Sequence, residues 1–509
     1  MSDTTGGLML LHEALLQAAR VTPDKTAVVH QGKRLSYGEL DNRSSTLAAL
    51  LVKEGVKTGD RVVLFLENSC EYVTAFLGVL KAGGVVVPMS VQMVAREFSS
   101  LLDDCTPAVV IADKKSCVTL GRIQQQKEIA LRLMVVSDDL FLSPITYTAG
   151  NLADDTALAS IIYTSGTTGK PKGVMLSHRN LVSNSASIIR YLQLTSSDSV
   201  MVILPFYYSY GNSLLTTHLM SGATLVIDNR FLYPNMVLET MEAEKVTGFA
   251  GVPSHFAILL RKSALKSFTL THLRYVTQAG GAMAPALIKE FTEAVPHAAF
   301  FVMYGQTEAS ARLSYLEPAY VKEKTGSIGK AIPGVELLVL NEQGEKMKPG
   351  ETGEIVAAGP NVMMGYWKSP EETTRVLRDN RLYTGDLARI DSDGFLFIIS
   401  RKKDMIKSGA NRISPLEIEE VVCQLKEVLE CSAVGIPDEL LGESIMLFVV
   451  LAEGSSLSKN DILLHCRQNL AVYKMPKYLE FVPSLPKTSS GKVKREELKS
   501  RKCSAEEKS

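Results

Sequence analysis

The segment Tyr163–Gly173, YTSGTTGKPKG, concentrates three kinds of group that bind phosphate. Thr164, Ser165, Thr167 and Thr168 carry hydroxyls, Gly166, Gly169 and Gly173 free the backbone, and Lys170 and Lys172 carry positive charge. Glycines let backbone N–H groups come close to an anion. Hydroxyls donate to phosphate oxygens, and ammonium groups add point charge. The segment follows the apolar run Leu158–Ile162, so it opens where a strand ends. The chemistry implied is a polyphosphate cradle. It is not a Walker loop, because two residues rather than four separate Gly166 from Gly169-Lys170, and Pro171 stands where Ser or Thr is required. A run of Gly, Ser and Thr is also what a plain surface loop looks like.

Other groups suited to nucleotide chemistry lie further along. Glu308, in Tyr304-Gly-Gln-Thr-Glu308, follows the apolar stretch Phe300–Met303. A carboxylate at the C-terminal end of a strand faces the crevice where α/β proteins bind ligands. Magnesium–nucleotide sites use one or two carboxylates plus phosphate oxygens. The plain alternative is a charge favoured at a helix start. Gly280, Gly281 and Ala282 follow Arg274–Gln278 and are small enough for a flat ring to lie on the backbone, although a tight turn wants the same residues. Asp386, in Tyr383-Thr-Gly-Asp386, has a carboxylate that can accept from both hydroxyls of a cis-diol, or is an ordinary turn residue. Lys492, in Leu485–Lys494 (LPKTSSGKVK), is either part of a basic tail or a cation with reach. Where two anions must meet, a cation between them stabilises the transition state.

Taken together and in this order, these strings resemble the signatures of the adenylate-forming superfamily of acyl- and aryl-CoA synthetases, nonribosomal peptide adenylation domains and luciferases. The resemblance spans nearly the whole chain and is closest to an AMP-forming acyl- or aryl-CoA ligase. It implies that residues Thr164 to Lys170 and Lys172 hold the ATP phosphates. It implies that Glu308 binds Mg²⁺, Thr307 contacts phosphate and Tyr304 lies beside adenine, with Gly280, Gly281 and Ala282 against the ring. Asp386 and Arg401 become ribose contacts, and Arg412 a phosphate contact. Lys492 becomes the lysine that enters the site during adenylation. Lys403 becomes the hinge about which a C-terminal domain swings.

The same resemblance places the acyl pocket around Leu204–Gly211, with Tyr208, Ser209, Val252, Phe256, Gln278 and Gly305 as lining candidates. Many relatives have His where this chain has Tyr208. Pro205–Leu219 contains no Asp or Glu, which argues against an α-amino acid and for an uncharged acyl or aryl tail. The glycine beside the thiol tunnel aligns with Gly409 or with Ala410. The expected reaction is carboxylate plus ATP to acyl-AMP and pyrophosphate, then transfer to a thiol. That thiol is coenzyme A or, alternatively, the phosphopantetheine arm of a carrier protein. A non-catalytic nucleotide-binding relative and a luciferase-like oxygenase are further possibilities; intact Lys492, Glu308 and phosphate loop argue against the first, and no residue speaks for the second.

These groups need a scaffold. At 509 residues the chain is too long for one core. Apolar strand patterns at Ala27–His30, Arg61–Leu66, Val85–Pro88, Val109–Ala112, Val200–Ile203, Thr224–Ile227 and Phe249–Val252 alternate with helical ones at Leu10–Arg20, Ser36–Glu54 and Tyr72–Lys81. That alternation predicts layered α/β units on mostly parallel sheets. Residues 325–400 read as a β-rich subdomain, closing an N-terminal adenylation domain of residues 1–402. Residues 403–509 read as a small mobile α+β domain. Lys plus Arg and Asp plus Glu both number 55, so nothing points to nucleic acid. The seven cysteines lack any CxxC, which suits a reducing compartment, and no run is long enough for a membrane span. A cytoplasmic enzyme using ATP, Mg²⁺ and a small carboxylic acid is the expectation.

Overall fold

The computed structural model describes residues 9–127, 131–143, 145, 147, 154–164, 171–409, 411–488 and 492–501. Among these, Val62, Val63, Leu64, Val85, Val86 and Val87 are fully buried. Such all-apolar strands fit only a parallel sheet covered on both faces. Strands Arg61–Phe65, Val85–Pro88, Val109–Ala112, Leu133–Val135 and Leu158–Thr164 pair in parallel, and Lys172–Ser177 adds an antiparallel edge. This is the core of a seven-stranded sheet.

A second, nine-stranded sheet has Thr26–His30, Thr224–Ile227, Ser199–Val202, Gly248–Gly251, Tyr275–Gln278 and Ala299–Tyr304 as its parallel centre. Its antiparallel edges include Lys33–Ser36 and Ser314–Leu316. One apolar core joins both sheets: Val28 and Leu225 of one and Val62 and Ile162 of the other share it with Leu47, Leu77 and Leu215 of the helices between. Helix Tyr37–Lys53 starts where the sequence predicts. The Ser36 hydroxyl accepts from Glu39 N–H at 3.2 Å, and the Glu39 carboxylate accepts from Ser36 N–H at 2.8 Å.

A third sheet is antiparallel and built from Glu336–Leu340, Thr352–Ala358, Arg381–Ile390, Leu377–Arg378 and Leu396–Arg401. The fourth takes Asn411–Ile413, Ile406–Ser408, Gly442–Leu451, Val428–Asp438 and Tyr478–Phe481. With helices Pro415–Val422 and Lys459–Asn469 it closes its own core around Ile406, Ile413, Ile418, Leu447 and Ile462. Sheet membership changes across residues 402–405, between Leu396–Arg401 and Ile406–Ser408.

The α/β class with a β-rich part and a small α+β C-terminal part therefore holds. Local details differ in one place: Leu10–Arg20 is two helices, Leu11–Leu15 and Gln17–Val21, broken at Leu16. Of the two alternatives for Asp386 the turn is excluded, since it lies within the ten-residue strand Arg381–Ile390. The charged stretch Ser400–Gly409 is half strand, with Ser400 and Arg401 ending one strand, Ile406–Ser408 forming another and a turn at 402–404 between them. Among the described residues, no helix is long and apolar enough to cross a membrane.

Candidate active site

The site is built at the C-terminal ends of the parallel strands. Thr164 ends Leu158–Thr164 and is the register partner of Lys172, which opens the next strand. Ser165, Gly166, Thr167, Thr168, Gly169 and Lys170 lie outside the described residues. Lys172 Nζ pairs with the Glu372 carboxylate and stands 5.1 Å from the centre of the Tyr366 ring.

Tyr304 ends the strand Ala299–Tyr304 in the other large sheet. Its hydroxyl donates to Asp386 Oδ2 at 2.6 Å. Asp386 is 3 % exposed, and its Oδ1 is 3.0 Å from Arg401 Nε. Asp386 and Arg401 are also register partners on neighbouring strands. Burial, then the Asp386 charge, raises the Tyr304 phenol well above its ordinary pKa, so it remains a donor. Asp386 in turn raises the Arg401 guanidinium.

Three residues past Tyr304, Thr307 and Glu308 occupy a single 3₁₀ turn, Thr307–Ala309. Thr307 Oγ1 donates to Ser209 Oγ at 3.1 Å. Glu308 Oε1 accepts from the Tyr366 hydroxyl at 2.8 Å. The backbone after the turn is strained: Ser310 has φ 60° and Ala311 φ 132°. That path brings the Ala311 carbonyl so close to Gly305 that a Cβ there would sit 2.0 Å from the oxygen. Gly305 is thus required by backbone contact, whatever lines the acyl pocket.

The ledge Gly280–Ala282 is exposed and follows the buried strand Tyr275–Gln278. Gly280 has φ 86°, and a Cβ on it would press on Val252 at 3.0 Å. Gln278 is 1 % exposed and its amide donates to the Gly281 carbonyl at 2.7 Å, so it braces the ledge from beneath. Tyr208 precedes the helix Ser209–Met220, with its ring 4.6 Å from that of Tyr207. Val252 is brought to the cleft, but Phe256 is not. Phe256 is fully buried among Phe249, Phe291 and Phe300, because its helix position faces the sheet.

Lys492 reaches this cleft from the C-terminal module. Its loop is closed by a Lys487–Val493 bridge, with Thr488 N–H donating to the Lys492 carbonyl at 2.8 Å. Arg495 anchors the base through Glu419, at 2.9 Å, and through the Ala433 carbonyl, at 2.7 Å. Lys492 is solvent-exposed, with Asp386, Arg401, Glu308 and Lys403 as its charged neighbours. Desolvation lowers its pKa first, with Arg401 and Lys403 adding repulsion and Asp386 and Glu308 opposing it. The four groups that the Lys492 ammonium senses are thus the ones the sequence nominated from three separate strings. Lys403 is exposed in the turn beyond Arg401. Gly409 has φ 59° and its N–H donates to the Leu441 carbonyl at 2.7 Å, while Ala410 lies outside the described residues. Arg412 sits exposed on the strand Asn411–Ile413, opposite Lys407.

The arrangement suits a magnesium nucleotide. Glu308 presents a hard carboxylate oxygen beside an open cleft, which is the donor chemistry Mg²⁺ takes when phosphates supply the remaining ligands. A family model described as AMP-binding enzyme matches residues 15–367. The chain belongs to the AMP-binding enzyme family. The model of the AMP-binding enzyme C-terminal domain matches residues 417–492. A feruloyl-CoA synthase from Amycolatopsis sp is 35% identical over 96% of this chain and 98% of its own. A long-chain-fatty-acid–CoA ligase from Bacillus subtilis is 32% identical over 96% and 94%. The solved o-succinylbenzoate coenzyme A synthetase of Bacillus subtilis, in complex with ATP and magnesium ion, superposes with a TM-score of 0.84 at 28% identity, covering 96% of this chain and 99% of that one. This AMP-binding enzyme is an adenylate-forming acid–CoA ligase.

Sequence reasoning missed Tyr366, Glu372 and Asn361. Asn361 is 1 % exposed and donates to the Ala309 carbonyl at 3.2 Å and the Arg312 carbonyl at 2.9 Å, pinning the strained turn. The signal was present in Gly365-Tyr-Trp and Pro370-Glu-Glu, an aromatic pair and a helix start with no evident partner. Arg495 and Glu419, which fix the lysine loop, carry no spacing signature because they are 76 residues apart.

Proposed function

We propose that this ligase activates an uncharged acyl or aryl carboxylate lacking an α-amino group, and hands it to coenzyme A. The observation that carries the reading is the convergence of Lys492 on Asp386, Arg401 and Glu308 in one cleft. In the first half-reaction the substrate carboxylate attacks the α-phosphate of ATP. Asp386 accepts from the ribose hydroxyls, with Arg401 and Tyr304 holding the carboxylate in place. The ledge Gly280–Ala282 takes the adenine, and the loop from Thr164 to Lys170 takes the phosphates, with Thr307 beside them. Glu308 would hold Mg²⁺, which when bound neutralises phosphate charge. Lys492 lies between the two reacting anions and stabilises the charge that develops as they join.

In the second half-reaction the C-terminal module, residues 403–509, turns about Lys403. Lys492 leaves, the Gly409–Ala410 loop enters, and the thiol displaces AMP. The pocket begins at Tyr208, Ser209 and Val252. The absence of an acidic residue in Pro205–Leu219 leaves an α-ammonium without a partner there. The relatives are named for an aryl acid, an alkyl acid and o-succinylbenzoate, which carries a second carboxylate, so their names leave the tail class open. The six cysteines described are free thiols, which suits the cytoplasm.

The test is carboxylate-dependent exchange of pyrophosphate into ATP with a panel of aryl, fatty, short-chain and amino acids. Exchange with uncharged acids and none with amino acids is expected. Silence across the panel would overturn adenylation, and preference for an amino acid would overturn the pocket reading. Thioester formation with coenzyme A, but not with a phosphopantetheinylated carrier protein, is the expected second result.

A further inference from the structure

A chain of contacts links the phosphate-loop strand to the proposed metal carboxylate. Lys172 opens the strand Lys172–Ser177. The short strand Gly365–Tyr366 pairs with it, Tyr366 opposite Val174 and Gly365 opposite Met175. The Trp367 N–H donates to the Gly173 carbonyl at 2.7 Å and the Met363 N–H to the Glu308 carbonyl at 2.9 Å. One segment, residues 363–367, is therefore fastened to the foot of the phosphate loop and to the turn that bears Glu308.

The side chains continue the link. The Tyr366 hydroxyl donates to Glu308 Oε1 at 2.8 Å. The Lys172 ammonium stands over the Tyr366 ring and pairs with Glu372, both side chains being sheltered at 15% and 26% exposure. Glu372 rides on the helix Pro370–Val376, and the Thr373 hydroxyl of the same helix accepts from the Tyr366 N–H at 2.9 Å. A ring with a cation on its face and a carboxylate on its hydroxyl has little freedom to swing. The hydroxyl uses one lone-pair direction of Oε1, so Glu308 retains acceptor capacity for a metal. The Glu308–Tyr366 bond also aims the carboxylate before any ligand arrives.

We propose that Tyr366 is a positioning residue for the metal carboxylate, its hydroxyl aiming Glu308, and that Lys172, locked to Glu372 across the ring face, holds Tyr366 in that pose. This rests on the reading of Glu308 as the Mg²⁺ ligand. Lys172 then acts chiefly through Tyr366 rather than as a phosphate contact, and the metal and the phosphate loop are mechanically joined.

The experiment titrates Mn²⁺, followed by electron paramagnetic resonance, into full-length enzyme saturated with an ATP analogue carrying a methylene bridge between the α- and β-phosphorus. Tyr366→Phe keeps the ring and removes the hydroxyl; Glu372→Gln frees Lys172 and touches no ligand. AMP affinity, measured by calorimetry without metal, reports whether the fold of the site survives. Losing a hydrogen bond to a charged group predicts that Tyr366→Phe needs about tenfold more Mn²⁺ for half-saturation. Glu372→Gln should shift it in the same direction by about threefold. Unchanged AMP affinity should accompany both, and Lys172→Arg, which can still pair with Glu372, should keep the wild-type Mn²⁺ half-saturation. A Tyr366→Phe enzyme with wild-type Mn²⁺ half-saturation would overturn the inference if Glu308→Gln weakens Mn²⁺ binding. If Glu308→Gln also leaves Mn²⁺ binding unchanged, the metal assignment itself fails.

Discussion

The Tyr304 hydroxyl donates to Asp386 at 2.6 Å, which ties the last residue of a parallel strand to the middle of an antiparallel one. Asp386 also faces Arg401 at 3.0 Å and is almost wholly buried. Replacing it with Asn leaves the Arg401 charge without its counterion. The KM for ATP in pyrophosphate exchange should rise by about 10- to 100-fold for Asp386→Asn and about tenfold for Tyr304→Phe. Unchanged KM values would show that the ribose is held elsewhere.

Lys492 stands between groups of opposite sign. Lys492→Ala should cut pyrophosphate exchange by about 10²- to 10³-fold, the scale of losing one preorganised charge contact. Thioester formation from supplied acyl-AMP should survive. Because desolvation and the nearby Arg401 charge lower this pKa, deprotonation comes at a lower pH than for a free lysine. The alkaline fall in kcat/KM for ATP should therefore begin below the ordinary lysine range of about 10.4 and vanish in the Ala variant's residual rate. A profile flat through that range would contradict the placement.

Lys403 sits in the turn where sheet membership changes, and no backbone bond from its N–H is among those described. Lys403→Pro then removes no described hydrogen bond and acts by fixing φ at about −65°. Exchange should stay within about threefold of wild type, whereas thioester formation should fall at least about tenfold. Parallel loss of both would mean general damage.

His218 is 1 % exposed, with Nε2 2.7 Å from the Tyr275 hydroxyl, and burial lowers its pKa to about 4. The unfolded imidazole binds its proton near pH 6.5, so protonation favours the unfolded chain. Stability contributed by neutral His218 is complete above pH 6.5 and drains away as the pH falls towards 4. The loss is about 3 kcal/mol for this residue alone. Urea midpoints should drop across that window, and less steeply in His218→Gln.

Gly305 is judged by geometry alone. A Cβ there would lie 2.0 Å from the Ala311 carbonyl. Gly305→Ala should displace the turn carrying Thr307 and Glu308 and reduce exchange by about 10²-fold, with little change in melting temperature. A normal rate would show that the strained turn can yield.

Much of this was legible because strand ends carry the chemistry. Tyr304, Glu308 and Thr164 each follow an apolar run whose length and composition announce a buried parallel strand. Helix Tyr37–Lys53 was equally plain, since its Ser36–Glu39 box is a local code. Asp386 was legible as chemistry but not as strand, because Thr-Gly is a turn-forming pair in sequence even though the burial of Arg381–Ile390 alternates straight through it. Phe256 was assigned to a pocket when its helix turns it into an aromatic core. Tyr366 and Arg495 escaped notice altogether. Their partners, Glu308 and Glu419, are 58 and 76 residues away, and only tertiary pairing brings them together.

The Lys487–Val493 bridge sets one more rule. Lys492 is one step from a paired position, and successive side chains in a bridged hairpin point to opposite faces. Moving the lysine by one position along the return strand would therefore turn it to the other face. For anyone redesigning this enzyme, the place of Lys492 beside that bridge is the quantity to preserve.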